Sequence, residues 1–273
     1  MSATLFDEKV FEDADVAPAM RMVSQNDSGD VTGFGVCVPR APQEATGAIK
    51  MLAVDWKVRR RGIGATLAAH LERVLTFRGC RAVRLGESPP NYLQPGLDQD
   101  AVDAIRFFES RGYRSFSTVH DMRCDLHEAE LSTSEDESRL ERHGVVVRRA
   151  TTADMASLTR TVREYWGGWL PEVRIAMSHD PPAVHVATVA TDVVAFSAHS
   201  SNNQSIGWFG PMGTVPESRG VGVGTVLLRR CLRDLRDEGF DQAVIPWVGP
   251  VAFYERAVGA RVERTYLRFE KKL

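Results

Sequence analysis

The chain has 273 residues, 43% of them hydrophobic and 26% charged, with a formal net charge of -2. That length is roughly twice what one modest domain needs, and the apolar content is enough to bury real cores, so two domains are expected and wholesale disorder is excluded. No run approaches the ~18 apolar residues of a membrane span, and the first residues lack a basic region followed by an apolar stretch. A sequence pI near 6.4 leaves no basic footprint for nucleic acid. A cytoplasmic protein without membrane or nucleic-acid partners is predicted. Cys37, Cys80, Cys124 and Cys231 lie far apart with no CxxC or Cys/His cluster, so they read as reduced, partly buried thiols, with no metal site.

In chain order, the first helix is expected to open at Asp15, and a strand then ends at Leu52-Ala53-Val54. A glycine loop follows, Arg59-Arg60-Arg61-Gly62-Ile63-Gly64-Ala65, and runs into an amphipathic helix that stops at Gly79. A β-like run spans Ala82 to Leu85. Glu87 to Asp98 is then rich in turn formers and reads as an insertion: a lid, an interdomain contact or a plain surface loop. A short helix around Ala104 to Gly112 leads into another strand. His127 to His143 holds six acids against two arginines and almost nothing apolar, the composition of a linker.

Beyond the linker, Val145 to Arg149 reads as a strand, and Thr151-Thr152-Ala153-Asp154 opens a helix with capping residues. Tyr165 to Pro171 is an aromatic cluster with two glycines, suited to lining a site or to packing at an interface. Strand-like runs at 183–190, 193–200 and 205–214 end at Met212-Gly213-Thr214. A second glycine loop, Arg219-Gly220-Val221-Gly222-Val223-Gly224-Thr225, opens a helix that stops at Gly239. Gln242 to Ile245 is again β-like, and Val251 to Val258 forms a short helix before the last strand. The second half therefore reads βααβββαβαβ.

These two series are one pattern used twice. The loops recur at an offset of 160 residues, in register with the glycines that end the following helices. The expected division is residues 1–126, an acidic linker at 127–143, and residues 144–273. Counting charges over these spans gives -1, -4 and +3.

An Arg, then Gly-x-Gly between a strand and a helix, is a device for holding phosphate. Glycines let the backbone approach an anion, and the first helical N–H groups point at it with the helix dipole behind them. The dinucleotide fingerprint fails, because Gly62-Ile63-Gly64 and Gly222-Val223-Gly224 lack the third glycine, and no Walker lysine is present. A tight turn with no ligand is the bland alternative, weakened by the loop's occurring twice.

At these residues the chain resembles the GNAT superfamily of acyl-CoA-dependent N-acyltransferases. Its Arg/Gln-x-x-Gly-x-Gly/Ala motif is matched by Arg59, Gly62 and Gly64 and by Arg219, Gly222 and Gly224. Its later aromatic-Tyr-Glu motif is matched by Phe253-Tyr254-Glu255 with Gly259. The resemblance implies an α/β fold, a mixed sheet flanked by helices, present as two GNAT-like domains in tandem. It also implies that acetyl-CoA is bound by both loops and by the strands ending at Val54 and Thr214, with an amine on a small molecule or peptide as acceptor.

Tyr254 would then protonate the departing sulfur. The first copy has Phe108 at this place, which cannot, and a core aromatic on a short helix is the plain reading of Tyr254. From Asp15 to Val54 is 39 positions, against 60 from Asp154 to Thr214, so the first copy has less chain for an acceptor wall. Catalysis is therefore expected in the second copy, with His185, His199 and Glu217 as base candidates that are also ordinary structural or solvated residues. A sensor or scaffold that binds acyl-CoA without transfer is the competing reading. A monomer or homodimer is expected.

Overall fold

The computed structural model describes residues 1–39 and 45–273 and divides them into two compact units. Unit 1 comprises Met1–Val119 with Arg264–Leu273, and unit 2 is His120–Glu263. The expected boundaries at 126 and 144 differ from this division, because the last strand of each sequence repeat is shared between the units.

Unit 1 begins with helix α1 (Ala3–Val10), capped by the Ser2 hydroxyl on the Leu5 N–H. Asp15 lies in the turn beyond α1, not at a helix start as expected. Its N–H is held by the Asp13 carboxylate, the local bonding that makes such residues turn formers. Strands β1 (Arg21–Gln25), β2 (Val31–Pro39) and β3 (Thr46–Val54) form an antiparallel meander. Helix α2 (Ile63–Phe77) crosses back, so that β4 (Ala82–Leu85) lies parallel to β3. Its stop at Gly79, φ +85°, is the predicted left-handed glycine. A short β5 (Leu97–Asp98), α3 (Val102–Glu109) and β6 (Arg114–Asp125) follow. The core gathers Val36, Ile49, Leu71, Leu75, Val83, Leu85, Phe108 and Tyr113 between sheet and helices.

The acidic segment is only partly a linker. Residues Ser134–Arg142 form helix α4, with three acids in its first turn and arginines in its last, the order the helix dipole favours. Leu140 anchors it in a buried cluster, and Arg230 takes Glu137 in a bidentate pair at 2.7 and 2.8 Å. One apolar side chain and a few fixed charges suffice to dock a short helix whose composition reads as solvated chain.

The second sequence repeat continues with β7 (Val145–Arg149), α5 (Met155–Trp166), α6 (Leu170–Met177), β8 (Val184–Val189), β9 (Asp192–His199), β10 (Phe209–Thr214), α7 (Val223–Asp237), β11 (Gln242–Val248), α8 (Val251–Val258) and β12 (Arg261–Lys272). This is the βααβββαβαβ order read from the sequence. Thr151 and Asp154 form a capping box at the entry to α5, and Asp154 also pairs with Arg148 at 2.7 Å. The Arg148 hydrogen bond outweighs partial burial and holds the Asp154 carboxyl at about 2.

The terminal strands do not stay with their own repeats. In β6, Met122 and Cys124 enter the unit 2 core, and residues 122–125 pair antiparallel with β11. In β12, Phe269 enters the unit 1 core, and residues 270–272 pair antiparallel with β4, while Tyr266 and Leu267 pair with β5. Ion pairs fix each placement: Arg84 with Glu270 and Lys271 with Glu72 in unit 1, and Arg123 with Glu263 in unit 2.

The insertion is no plain surface loop. Glu87 is fully buried and takes Arg84 and Arg268, the Lys9 ammonium donates to the Asn91 side chain at 2.6 Å, and Gly96 lies so close to Leu267 O that a Cβ would come within 2.5 Å of it. The four cysteines are free thiols and all buried, and burial pushes Cys37, Cys124 and Cys231 up to about 12.

His185 and His199 face Asp234 of α7, at 2.6 and 3.4 Å, beside Arg149 at 2.8 Å. Burial opposes the Asp234 charge, but these partners overcome it and hold the carboxyl well below the usual range. Stability from a depressed carboxyl is present above its unfolded pKa near 3.9 and is lost as pH falls toward its folded value. Asp234→Ala, which leaves Arg149 and two buried imidazoles without their partner, should cost about 3–5 kcal/mol in denaturant unfolding at pH 7. A loss below about 1 kcal/mol would refute that weight.

Candidate active site

In each unit one strand loses a neighbour just before the glycine loop. Strand β3 pairs with β2 as far as Val54, but with β4 only from Thr46 to Ile49. Strand β10 pairs with β9 as far as Thr214, while a single bridge, Trp208 to Val244, precedes it on the β11 side. Among the described residues no strand covers the second edge of Leu52-Ala53-Val54 or of Met212-Gly213-Thr214. Each edge offers unpaired backbone to an extended ligand.

The loops continue from these edges with matching geometry. Gly62 and Gly222 are the N-caps of α2 and α7, at φ +88° and +92°, where a side chain would be strained. The motif arginine is a staple: Arg59 Nε donates to Val54 O at 3.1 Å and Arg219 Nε to Thr214 O at 3.0 Å. It folds the loop against the strand end and leaves the first-turn N–H groups to face an anion. The copies differ one residue on. Arg60 takes φ +65° where unit 2 has Gly220 at φ +84°, a conformation that costs a non-glycine residue on the order of 1–2 kcal/mol.

Each edge and loop opens into one cleft. In unit 1 the cleft measures about 800 Å3 and is lined by Leu52, Ala53, Val54, Arg59, Arg60, Gly62, Ile63, Gly64 and Ala65. Helix α3 supplies the facing wall with Arg106, Phe107, Phe108 and Arg111. In unit 2 it measures about 630 Å3 and is lined by Met212, Gly213, Thr214, Arg219, Gly220, Gly222, Val223, Gly224 and Thr225, with Trp166, Pro250 and Phe253 opposite. Of the sequence-predicted binding residues, Arg61, Val221 and Tyr254 are not part of these linings. The α3 arginines were missed, since exposed arginines on a short helix carry no signal until the fold turns that helix toward the loop.

Phe107 and Phe253 hold equivalent places. A Cβ on Gly64 would lie 3.4 Å from the Phe107 ring, and one on Gly224 would lie 3.7 Å from Phe253. Tyr254 therefore corresponds to Phe108, as read from the sequence. It sits behind Phe253, 9% exposed, with ring centroids 5.0 Å from Phe253 and 6.3 Å from Phe209. Burial pushes its hydroxyl up to about 12. The packing is that of a core aromatic.

The aromatic cluster forms the other wall of unit 2. Trp166 lies flat against β10, so close that a Cβ on Gly213 would fall 2.7 Å from its ring, and it stacks on Trp169 at 5.7 Å. Gly213→Ala must push the indole away. It should lower stability by about 1–3 kcal/mol in thermal unfolding, and an unchanged melting temperature would show that the contact is slack. Unit 1 has the eight-residue α1 where unit 2 has α5 and α6, of twelve and eight residues. The first wall is shorter by one helix, but the chain-length comparison overstated the difference, because the first helix starts at Ala3 and not at Asp15: Ala3 to Val54 is 51 positions, against 59 from Met155 to Thr214.

The base candidates lie elsewhere. Asp234, which holds both histidines, is eleven residues past Val223 along α7, roughly 16 Å from the loop. Glu217 is exposed in the turn Pro216–Ser218, where its charge and that of Glu164 add to desolvation in pushing up the Tyr165 hydroxyl. From α4, Arg139 reaches Gly222: a Cβ there would lie 2.9 Å from its guanidinium, which Asp136 neutralises at 2.7 Å. Among the described residues no group of His, Cys, Asp or Glu is placed to hold a metal ion, and no helix is long and apolar enough to cross a membrane.

An open strand edge, a glycine loop and a helix N-terminus recur together on two α/β units. The model of the Acetyltransferase (GNAT) family matches residues 3–113 and again 153–260. The chain belongs to that family and carries two GNAT repeats in tandem. A search of curated proteins finds no match.

Solved structures share the fold at low identity. A GCN5-related N-acetyltransferase from Sphaerobacter thermophilus is 17% identical with a TM-score of 0.71, over 93% of this chain and 81% of that one. A tandem GNAT protein from the clavulanic acid biosynthesis pathway, described without AcCoA, is 16% identical with a TM-score of 0.61, over 94% and 84%. The glucosamine N-acetyltransferase region of a fungal multi-domain GH3 β-N-acetylglucosaminidase is 20% identical with a TM-score of 0.78, over 98% of this chain. The chain spans 36% of that fungal protein's length.

Proposed function

We propose that unit 2 is an N-acetyltransferase that moves an acetyl group from acetyl-CoA to the amine of a small molecule or peptide. The observation that carries this reading is the single cleft joining the open edge at Met212-Gly213-Thr214 to the N-terminus of α7, with Trp166 on the opposite wall. The residues suit such a ligand. The loop has the exposed first-turn amides that a pyrophosphate needs, and the bare edge can pair with the amides of an extended chain. When bound, acetyl-CoA supplies the activated thioester.

The amine must be neutral to attack the thioester carbonyl. For an amine with pKa near 10.4, that costs about 4.6 kcal/mol at pH 7. The new C–N bond forms as the C–S bond breaks, with a backbone N–H of the strand edge polarising the carbonyl oxygen. Tyr254 gives its proton to the departing sulfur and takes back the one the nitrogen gives up. With its hydroxyl pushed up to about 12, handing a proton to a thiolate of ordinary pKa near 8.5 is uphill by roughly 5 kcal/mol, so the two transfers must be coupled.

The experiment is thiol release from acetyl-CoA over a panel of amines. Tyr254→Phe keeps the ring packing and should lower kcat by about 10²-fold with KM nearly unchanged, within the range for a lost general acid. Unchanged kcat would remove Tyr254 from the reaction. Because the acid stays protonated below pH 12, kcat should show no falling limb between pH 8 and 10; such a limb in the wild type, lost in Tyr254→Phe, would mean a far lower phenol pKa.

A second role fits unit 1, acyl-CoA binding without transfer. Phe108 stands where the acid would be, and its acceptor side has one short helix tied to the insertion through Lys9 and Asn91.

A further inference from the structure

The two clefts share loop geometry but not charge. Arg59, Arg60, Arg106 and Arg111 line the unit 1 cleft against one acid, Asp103. In unit 2, Arg219 is the one charged residue in the lining, and Arg139 beside Gly222 is already neutralised by Asp136. The register that equates Phe108 with Tyr254 sets Ala252 and Ala257 against Arg106 and Arg111, and the loop register sets Gly220 against Arg60.

Two of these arginines carry no partner among the described residues, while Arg59 holds Val54 O and Arg111 holds Phe107 O and the Ser110 hydroxyl. Among the described residues neither the Arg60 nor the Arg106 side chain has a hydrogen bond or ion pair. Arg111 is held in place, donating to Phe107 O at 2.9 Å with its guanidinium 3.7 Å from the Phe107 ring centroid. Arg60 is kept in a backbone conformation that glycine fills without strain in unit 2. On the reading proposed above, the loop amides, the helix dipole and Arg219 serve a pyrophosphate in unit 2, so the surplus positive charge of unit 1 matches a further anionic group. A phosphate monoester carries nearly two negative charges and suits bidentate arginine.

We infer that the unit 1 cleft is a site selective for the 3′-phosphorylated form of the nucleotide ligand, CoA rather than dephospho-CoA, with Arg60, Arg106 and Arg111 facing the 3′-phosphate. This rests on the reading of both loops as acyl-CoA sites.

The test uses the full chain carrying Gly224→Trp to block the unit 2 cleft. Calorimetric titration with CoA should give one site, binding at least 10-fold tighter than dephospho-CoA, and 3′,5′-ADP should compete for it. Replacing Arg60 and Arg106 by their unit 2 counterparts, Arg60→Gly with Arg106→Ala, should bring CoA to the affinity of dephospho-CoA while the latter changes less than 2-fold. Equal affinities for CoA and dephospho-CoA before substitution would overturn the selectivity and leave the unit 1 site standing. Equal weakening of both ligands, or a preference only for a carboxylated thioester such as succinyl-CoA, would also overturn it. Binding of none of these ligands would remove the acyl-CoA reading of unit 1 together with this inference.

Discussion

A chain ending at Glu263 should lose the fold of unit 1 and retain that of unit 2, although the deleted residues belong to the second sequence repeat. Deletion of Arg264–Leu273 removes the buried Phe269 and Tyr266 from unit 1, each worth about 1.5–3 kcal/mol of apolar surface, and the half-buried Leu267, worth less. It also strips Arg268 from the fully buried Glu87 and Lys271 from Glu72. Breaking a buried pair by removing one partner costs up to about 3–5 kcal/mol, less at Glu87 because it keeps Arg84, so the sum falls within the 5–15 kcal/mol of a typical domain. Unit 2 keeps its ladder between β6 and β11 and the Arg123–Glu263 pair. Limited proteolysis and circular dichroism should find residues 1–119 cleaved rapidly while residues 120–263 survive as a resistant fragment. Equal resistance of both segments would show that β12 is dispensable to unit 1.

Gly224→Trp should abolish acetyl transfer, with a loss of at least 10²-fold, and leave the protein folded. Gly224 lies in the first turn of α7, outside the positive-φ region, so a side chain there is not strained. A Cβ meets Phe253, Met212 and Thr214 at 3.7–3.8 Å, ordinary contact, so Gly224→Ala should keep activity within about 3-fold. An indole extends into the space between loop and α8 that the ligand requires. Transfer by Gly224→Trp at the wild-type rate would move the chemistry out of unit 2.

How much of this was legible in the sequence depends on the range of the forces involved. Local signals carried through: the left-handed glycines, the capping box at Thr151, and the chain order of unit 2 all follow from a few adjacent residues. The match of Phe108 with Tyr254 followed from motif register and agrees with the contacts of their neighbours to Gly64 and Gly224. Signals that depend on distant partners did not carry through. Helix α4 reads as linker because its docking rests on Leu140 and on arginines of α7 that lie about ninety residues away in sequence. The insertion reads as a loop because Lys9, Arg268 and Leu267, which bury it, lie far along the chain.

The sequence by itself determined that one α/β unit occurs twice, where each glycine loop and its helix lie, and which repeat carries Tyr254 where the other has Phe108. Tertiary structure alone decided which unit's core each last strand joins. Pairing preferences within β6 or β12 do not by themselves distinguish a strand's own repeat from the other. The contacts that distinguish them are of long sequence separation, chiefly Phe269 in the unit 1 core and Met122 and Cys124 in the unit 2 core. The same holds for the charge of the clefts, since Arg106 and Arg111 come to line one only when α3 is packed against the glycine loop.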